Sequence, residues 1–327
     1  MFIAGDIGGT KTLLALYEPA GSGWVRRHEA SFKSQDYAAF DLMLREFMTN
    51  MTGIPDILCL GVAGPVIRGQ SQVTNLNWTL DETALFSVTG IPRVKLLNDL
   101  QAMSLGLLRL PDSQFLDINP GATRQPGNQA VLAAGTGLGE AILYWDGDRY
   151  HALATEGGHT DFAPRTAQED ALLVYLRQRF GGHVSYERLL SGSGLVNLYD
   201  YLRDSGFAGE SAALVARMAV SDDKAREISQ AGIVEGDPLS REALRLFVSL
   251  YAAEAGNLAL KCFATGGVMI GGGIAPKILP AIGPELFMEA FCDKGRFAGF
   301  LRQIPVRVAL DSSTGLLGAE AWAEACA

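Results

Sequence analysis

The sequence predicts a two-domain α/β protein, and three observations carry that prediction. Apolar runs of strand length alternate with longer segments of helical periodicity. An apolar run, a Gly/Thr turn and a second apolar run occur at residues 1–17 and again at residues 129–145. The length of 327 residues suits two domains of about 150 residues each.

Taken in order, residues 1–17 read as a β-hairpin turning at Gly8-Gly9-Thr10. The stretch nearly spells a Walker A loop, since Lys11-Thr12 follows Gly5, but Thr10 stands where that loop needs glycine. A Walker loop also opens a helix, whereas residues 12–17 form a short apolar run ending at the turn signal Glu18-Pro-Ala-Gly21. Residues 24–31 predict a third strand, and residues 37–51 a helix, from the recurrence of Phe40, Leu42, Met43, Phe47 and Met48. A buried strand over 56–64 ends at Gly64-Pro65, residues 66–74 pair nearby, and residues 81–87 form a helix. The strand 93–97 stops at Asn98-Asp99. Residues 105–126, rich in Pro, Asp and Gly, read as a connection, with the domain crossing near residue 110.

The second hairpin, 129–145, opens the second domain. Helices follow over 167–180, 195–202, 208–229 and 239–262, with a short helix and turn over 185–194. Residues 267–276 form a buried strand that breaks into a glycine turn; 306–310 form a last strand and 315–325 a closing helix. A nicotinamide-cofactor fold is disfavoured. The spacing G-x-G-x-x-G fails at Glu140 after Gly135 and Gly137, and at Pro276 after Gly271 and Gly273.

Composition excludes several functional classes. The chain carries 27 basic and 36 acidic side chains, a net charge of −9, which argues against nucleic acid or an anionic membrane as a general partner. An anionic ligand must then be held by a local site. Cys59, Cys262, Cys292 and Cys326 are too widely spaced for a zinc pattern. No apolar run reaches the roughly 18 residues of a spanning helix, and nothing resembles a signal peptide. These features lead to the expectation of a cytoplasmic protein.

Gly8 and Gly9 lack Cβ atoms, so their backbone can take positive φ and its N–H groups can approach phosphate oxygens closely, with the Thr10 hydroxyl as a further donor. Asp6 stands where a hydrated Mg²⁺ would. By itself such a turn is equally a plain tight turn. Asp99 after a strand end suits a general base, or else an Asx turn closing the strand.

Together, two phosphate-type hairpins, the Asn98-Asp99 strand end and the Gly271-Gly-Gly273 turn resemble the actin, heat-shock ATPase and sugar kinase superfamily. The words Asp6-Ile-Gly-Gly-Thr10, Leu97-Asn-Asp99, Ala134-Gly-Thr-Gly-Leu-Gly139, Glu156-Gly-Gly-His-Thr-Asp-Phe-Ala-Pro164, Leu190-Ser-Gly-Ser-Gly-Leu-Val-Asn-Leu-Tyr199, Asp293-Lys-Gly-Arg-Phe297 and Gly315-Leu-Leu-Gly318 resemble bacterial glucokinases of the non-ROK type. One departure is Lys11, where those proteins usually carry Asn; Gly-Gly-Thr-Lys is the ROK spelling, although the ROK cysteine-rich zinc motif is absent.

The resemblance implies a two-domain actin-like ATPase fold, ribonuclease H-like, with a smaller α/β domain (residues 1–109 and about 300–327) and a larger α+β domain (110–299) around a cleft that substrate closes. It implies an ATP-dependent glucokinase that makes glucose 6-phosphate, with a related hexose kinase acting on mannose or N-acetylmannosamine as the alternative. Asp99 would be the general base, and Asn98, Glu156, His159 and Glu187 would bind the sugar. A ring of Asn, Glu and His suits hydroxyls that both donate and accept. Glu187 could equally pair with Arg188 on a surface. ATP would be held by Asp6, Gly8, Gly9, Thr10, Gly135, Thr136, Gly137, Gly272 and Gly273, with Mg²⁺ bound through the phosphates and no zinc. A homodimer is implied by the resemblance alone. A sugar- or nucleotide-binding regulator is the reading from another class; a ROK-like repressor would be expected to carry a DNA-binding segment ahead of the first strand.

Overall fold

Residues 1–21, 23–49, 51–311 and 313–327 are described by a computed structural model. The chain divides into two units, one of Met1–Asp112, Ala152–Ala154 and Ser313–Ala327, the other of Ser113–His151 and Thr155–Ser312. In the first, β1 (Phe2–Ile7), β2 (Lys11–Ala20), β3 (Gly23–Lys33) and β4 (Ile57–Val62) precede a small ribbon of β5 (Gln70–Gln72) and β6 (Thr79–Asp81); β7 (Arg93–Asn98) follows. The main sheet has the order β3-β2-β1-β4-β7. Strand alternation sorts its faces. Ile3 and Ile7 pack with Met43, Leu44 and Phe47 of the helix Phe40–Met48, and Phe2 and Ala4 with Leu316, Ala319 and Ala323 of the helix Thr314–Cys326.

β1, β4 and β7 run parallel and end level, with Ile7 opposite Val62 and Val62 opposite Asn98. The turn after β1, the Gly64 turn and Asn98-Asp99 therefore leave one carboxyl edge, where open α/β sheets gather their ligands. The predicted helix over 37–51 is shorter, and Asn50 within that span lies outside the described residues.

In the second unit, β8 (Phe115–Asp117), β9 (Gln129–Ala134), β10 (Leu138–Trp145), β11 (Tyr150–Ala154), β12 (Gly267–Gly271) and β13 (Val306–Ala309) form a sheet of order β11-β10-β9-β12-β13-β8. Its first five positions repeat the first sheet's plan: an antiparallel meander followed by two parallel strands. The core of this unit is built on the helix Pro238–Lys261, whose Leu244, Phe247, Leu250 and Tyr251 are buried.

Three sequence expectations change. The supposed connection over 105–126 begins inside a helix, Asp99–Leu107, and contains β8. Gly106 reads as a helix breaker, but here it permits contact: a Cβ on Gly106 would collide with the Thr314 carbonyl, and one on Gly318 with the Ala102 carbonyl. The single helix over 208–229 is two, Ala212–Val220 and Lys224–Gln230, because Asp223 caps the second through the Arg226 N–H. The chain returns to the first unit at Ser313, not near residue 300, because β13 is sandwiched between β12 and β8.

The four cysteines are free thiols, and three are buried. Among the described residues no helix is long and apolar enough to cross a membrane.

Candidate active site

At the first unit's carboxyl edge the turn after β1 is closed by the Gly8 N–H donating to the Lys11 carbonyl at 3.0 Å. Neither Gly8 nor Gly9 uses the left-handed φ open to glycine. Their lack of Cβ serves close approach instead, since a Cβ on Gly9 would lie 3.1 Å from the Thr74 carbonyl. Ser34, which the sequence did not single out, clamps this turn. Its hydroxyl donates to the Gly8 carbonyl at 2.7 Å and lies 3.0 Å from the Thr12 hydroxyl, while its N–H donates to the Thr10 carbonyl at 3.0 Å. The Thr10 side chain stays exposed.

Asp6 lies near the end of β1 with its carboxylate against Gly315, in the first turn of the helix Thr314–Cys326. Burial raises its pKa and the Lys11 ammonium pulls it back down. Lys11 thus supplies the positive charge facing a carboxylate that could accept from metal-bound water. Among the described residues no group of three or more His, Cys, Asp and Glu is placed to hold a metal ion.

Asn98, not Asp99, closes the strand end as a cap. Asn98 is the N-cap of the helix Asp99–Leu107: its Oδ1 accepts from the Leu100 N–H at 2.9 Å, and the Gln101 side chain accepts from the Asn98 N–H at 3.1 Å. Its amide also donates to the Gly64 carbonyl at 3.1 Å, tying β7 to the turn after β4. Asp99 is the first helical residue, half-buried, with Oδ1 accepting from the Leu100 N–H at 3.0 Å.

In the second unit the Glu156-Gly-Gly-His159 segment forms a single 3₁₀ turn, Gly157–His159. The His159 N–H donates to the Glu156 carbonyl, and the His159 Nε2 lies 4.0 Å from Glu156 Oε2. Both side chains are exposed and lie side by side. His183, missed by sequence reasoning, holds the turn: its Nδ1 is 2.8 Å from Asp161 Oδ1 and its Nε2 3.1 Å from the His159 carbonyl.

Glu187 does not pair with Arg188, whose guanidinium lies over the Phe180 ring. Instead Glu187 Oε2 accepts from the Leu138 N–H at 3.1 Å, beside Gly137 in the second hairpin turn. This turn, Gly135-Thr136-Gly137, meets two other features. The Gly192 N–H, at the start of the helix Gly192–Asp204, donates to the Gly135 carbonyl at 2.9 Å. Gly272 takes φ 80°, and a Cβ there would collide with the Ala134 carbonyl. A turn, a helix N-terminus and a glycine break so placed form a concentration of backbone donors for an anion. Beside them opens a groove of about 1350 Å³, lined by Thr136, Gly273, Ser193, Lys224 and Lys277. Sequence reasoning missed the last three, two of which bring positive charge to a strongly acidic chain.

The Asp293-Lys-Gly-Arg-Phe297 word also acquires a role. Arg165, next after the Glu156–Pro164 word, faces Asp293 at 3.6 Å and donates to Glu169 and Ser249. Lys294 is half-buried near Glu254, and burial lowers its pKa.

The sequence profile of the Glucokinase family matches residues 3–326. A glucokinase of Nostoc sp. is 39% identical over 98% of this chain and 97% of its own length. The crystal structure of a glucokinase from an Antarctic psychrotroph superposes with a TM-score of 0.84 at 28% identity, covering 100% of this chain and 99% of that one. A ROK family glucokinase from Streptomyces griseus, solved with glucose and AMPPNP, shares the fold at a TM-score of 0.62 and 20% identity over 100% of this chain and 99% of its own. With a match of nearly full length to the family and relatives well above a third identical, this chain belongs to the Glucokinase family.

Proposed function

We propose that the chain transfers the γ-phosphoryl group of ATP to D-glucose, giving ADP and glucose 6-phosphate. The observation that carries this reading is the family match over residues 3–326, since the fold alone hosts several sugars and regulators. Asp99 is the general base that takes the proton of the sugar hydroxyl as it attacks in line. Asn98, Glu156, His159 and Glu187 hold the sugar hydroxyls. With Glu187 on the Leu138 N–H, sugar contact and phosphate turn share one carboxylate. Asp6, Gly8, Gly9, Thr10, Gly135, Thr136, Gly137, Gly272 and Gly273 bind ATP. Asp6 would hold phosphate-bound Mg²⁺ through water, the ion supplying charge neutralisation at the phosphates, and no zinc is proposed.

The repeated strand order of the two sheets supports the ribonuclease H-like, actin-like ATPase fold. The missing ROK cysteine motif and the Glu156–Pro164 word support the non-ROK type. The enzyme is further proposed to be cytoplasmic and homodimeric, on resemblance to that type. A coupled assay across glucose, mannose, fructose and N-acetylmannosamine tests the substrate: glucose should give the highest kcat/KM, and a higher value for another sugar would replace this reading.

Two substitutions separate the subsites. Glu156→Gln and His159→Ala should each raise glucose KM about tenfold or more and narrow the gap between sugars, because each removes a partner of a buried hydroxyl. Unchanged glucose affinity in both would place the sugar elsewhere. Gly272→Ala should raise ATP KM roughly tenfold with glucose KM unchanged, because alanine at φ 80° is strained and presses on Ala134. Steady-state kinetics with each substrate varied reads both.

A further inference from the structure

A buried carboxyl group with no place in the mechanism above lies directly behind the sugar turn. Glu140, on β10 just past the Gly135-Thr136-Gly137 turn, is 1% exposed, and its Oε1 has no hydrogen-bond partner among the described residues. Its other oxygen rests against Gly157, where a Cβ would collide with it. Its backbone carbonyl accepts from the Thr155 hydroxyl at 2.8 Å, and that hydroxyl accepts from the Gly157 N–H at 3.1 Å. Side chain and backbone of Glu140 thus both support the turn bearing Glu156 and His159.

Glu140 faces a second buried carboxyl, Glu254 on the helix Pro238–Lys261, which is 0% exposed. Glu254 already has cationic and amide partners: Lys261 donates at 3.2 Å and Asn257 at 2.7 Å, with Lys294 nearby. Two carboxyls in one dry pocket cannot both ionise cheaply. Glu140 has no such partners at Oε1 among the described residues, and its burial keeps the proton on it. Tyr251 on the same helix and Tyr186 beside Glu254 also titrate nearby, and burial pushes both phenols up and keeps them neutral.

We propose that Glu140 is a positioning residue for glucose binding, holding the sugar turn as a neutral carboxyl. Ionisation would set a second negative charge beside Glu254 in the packing against Gly157 and so loosen the turn that bears Glu156 and His159. This inference rests on the reading that those two residues bind the sugar. Burial first, and the Glu254 charge second, push the Glu140 pKa up to about 8, against the pull of Lys261.

The test is the pH dependence of glucose kinetics in wild type and Glu140→Gln, a neutral isostere. In wild type, glucose KM should rise by roughly an order of magnitude between pH 7 and 9, with kcat and ATP KM nearly flat, as loss of one proton from the free enzyme requires. Glu140→Gln should abolish that rise, and Glu254→Gln should move it to lower pH by removing the like charge. A second readout needs no sugar. The folded pKa lies above the unfolded one, so the wild type's melting temperature relative to Glu140→Gln should fall as pH climbs from about 5 through 8 and then level off. A glucose KM rise that persists in Glu140→Gln overturns the proposal whatever the melting data show. So does a melting difference flat in pH, which would mean the carboxyl is ionised throughout. Failure of the underlying site reading appears separately, as unchanged glucose KM in Glu156→Gln and His159→Ala at pH 7, where Glu140 is mostly protonated in every variant.

Discussion

Asp99→Asn should lower kcat by about 10² to 10⁴, typical of a lost general base. That corresponds to roughly 3–6 kcal/mol of transition-state stabilisation. The substitution isolates the chemistry because the capping of the helix Asp99–Leu107 belongs to Asn98 and Gln101. The bond from the Leu100 N–H to Asp99 Oδ1 survives in Asn, whose Oδ1 accepts equally well. The amide can still hydrogen-bond a sugar hydroxyl but cannot take its proton. Glucose binding by calorimetry should therefore stay within about threefold of wild type, while single-turnover phosphoryl transfer collapses. Turnover within about twofold of wild type would remove Asp99 from the role.

Gly318→Ala should unfold the first unit's helix pair at a markedly lower temperature. A Cβ there lands on the carbonyl of Ala102, and backbone, unlike the end of a long side chain, has no rotamer in which to retreat. Alanine in a helix gains about 1 kcal/mol over glycine, so the collision must exceed that to decide the sign. Overpacking of a tight contact costs about 1–3 kcal/mol where side chains can adjust, and more where backbone must move. A net loss of about 3 kcal/mol is expected, a large part of a stability of roughly 5–15 kcal/mol. Gly299 is the control: it is helical and exposed, with nothing near its missing Cβ, so Gly299→Ala should be neutral or slightly stabilising. Thermal melts of the two variants side by side test the argument. If Gly318→Ala melts at or above wild type, the two helices are not held in backbone contact. Because Asp99 begins the partner helix, the Gly318 variant should also lose turnover.

Much was legible in the sequence because its signals are local. Apolar alternation in β1, the turn residues after it and the repeat of that pattern at β9 and β10 are each fixed within about 20 residues, so order and type of element follow from them. The word Asn98-Asp99 marked the end of β7. Which of the two residues caps the helix depended on Gly64 and Gln101, whose contacts form only when β4, β7 and the helix are assembled. Gly106 shows the limit most plainly. Locally it disfavours helix, and only the helix Thr314–Cys326, two hundred residues away in sequence, makes it necessary.

The sequence by itself determined the two-unit α/β plan, the hairpin words and the residue types able to meet phosphate and hydroxyl groups, because these follow from side-chain period and turn chemistry. Tertiary structure alone decided that Ser34 clamps the first turn, that Glu187 holds the second, that His183 braces the sugar turn, and that Glu140 and Glu254 share a dry pocket. The physical reason is the same in each case. A hydrogen bond or a shared proton depends on distances of about 3 Å, and residues far apart in the chain reach such distances only by packing.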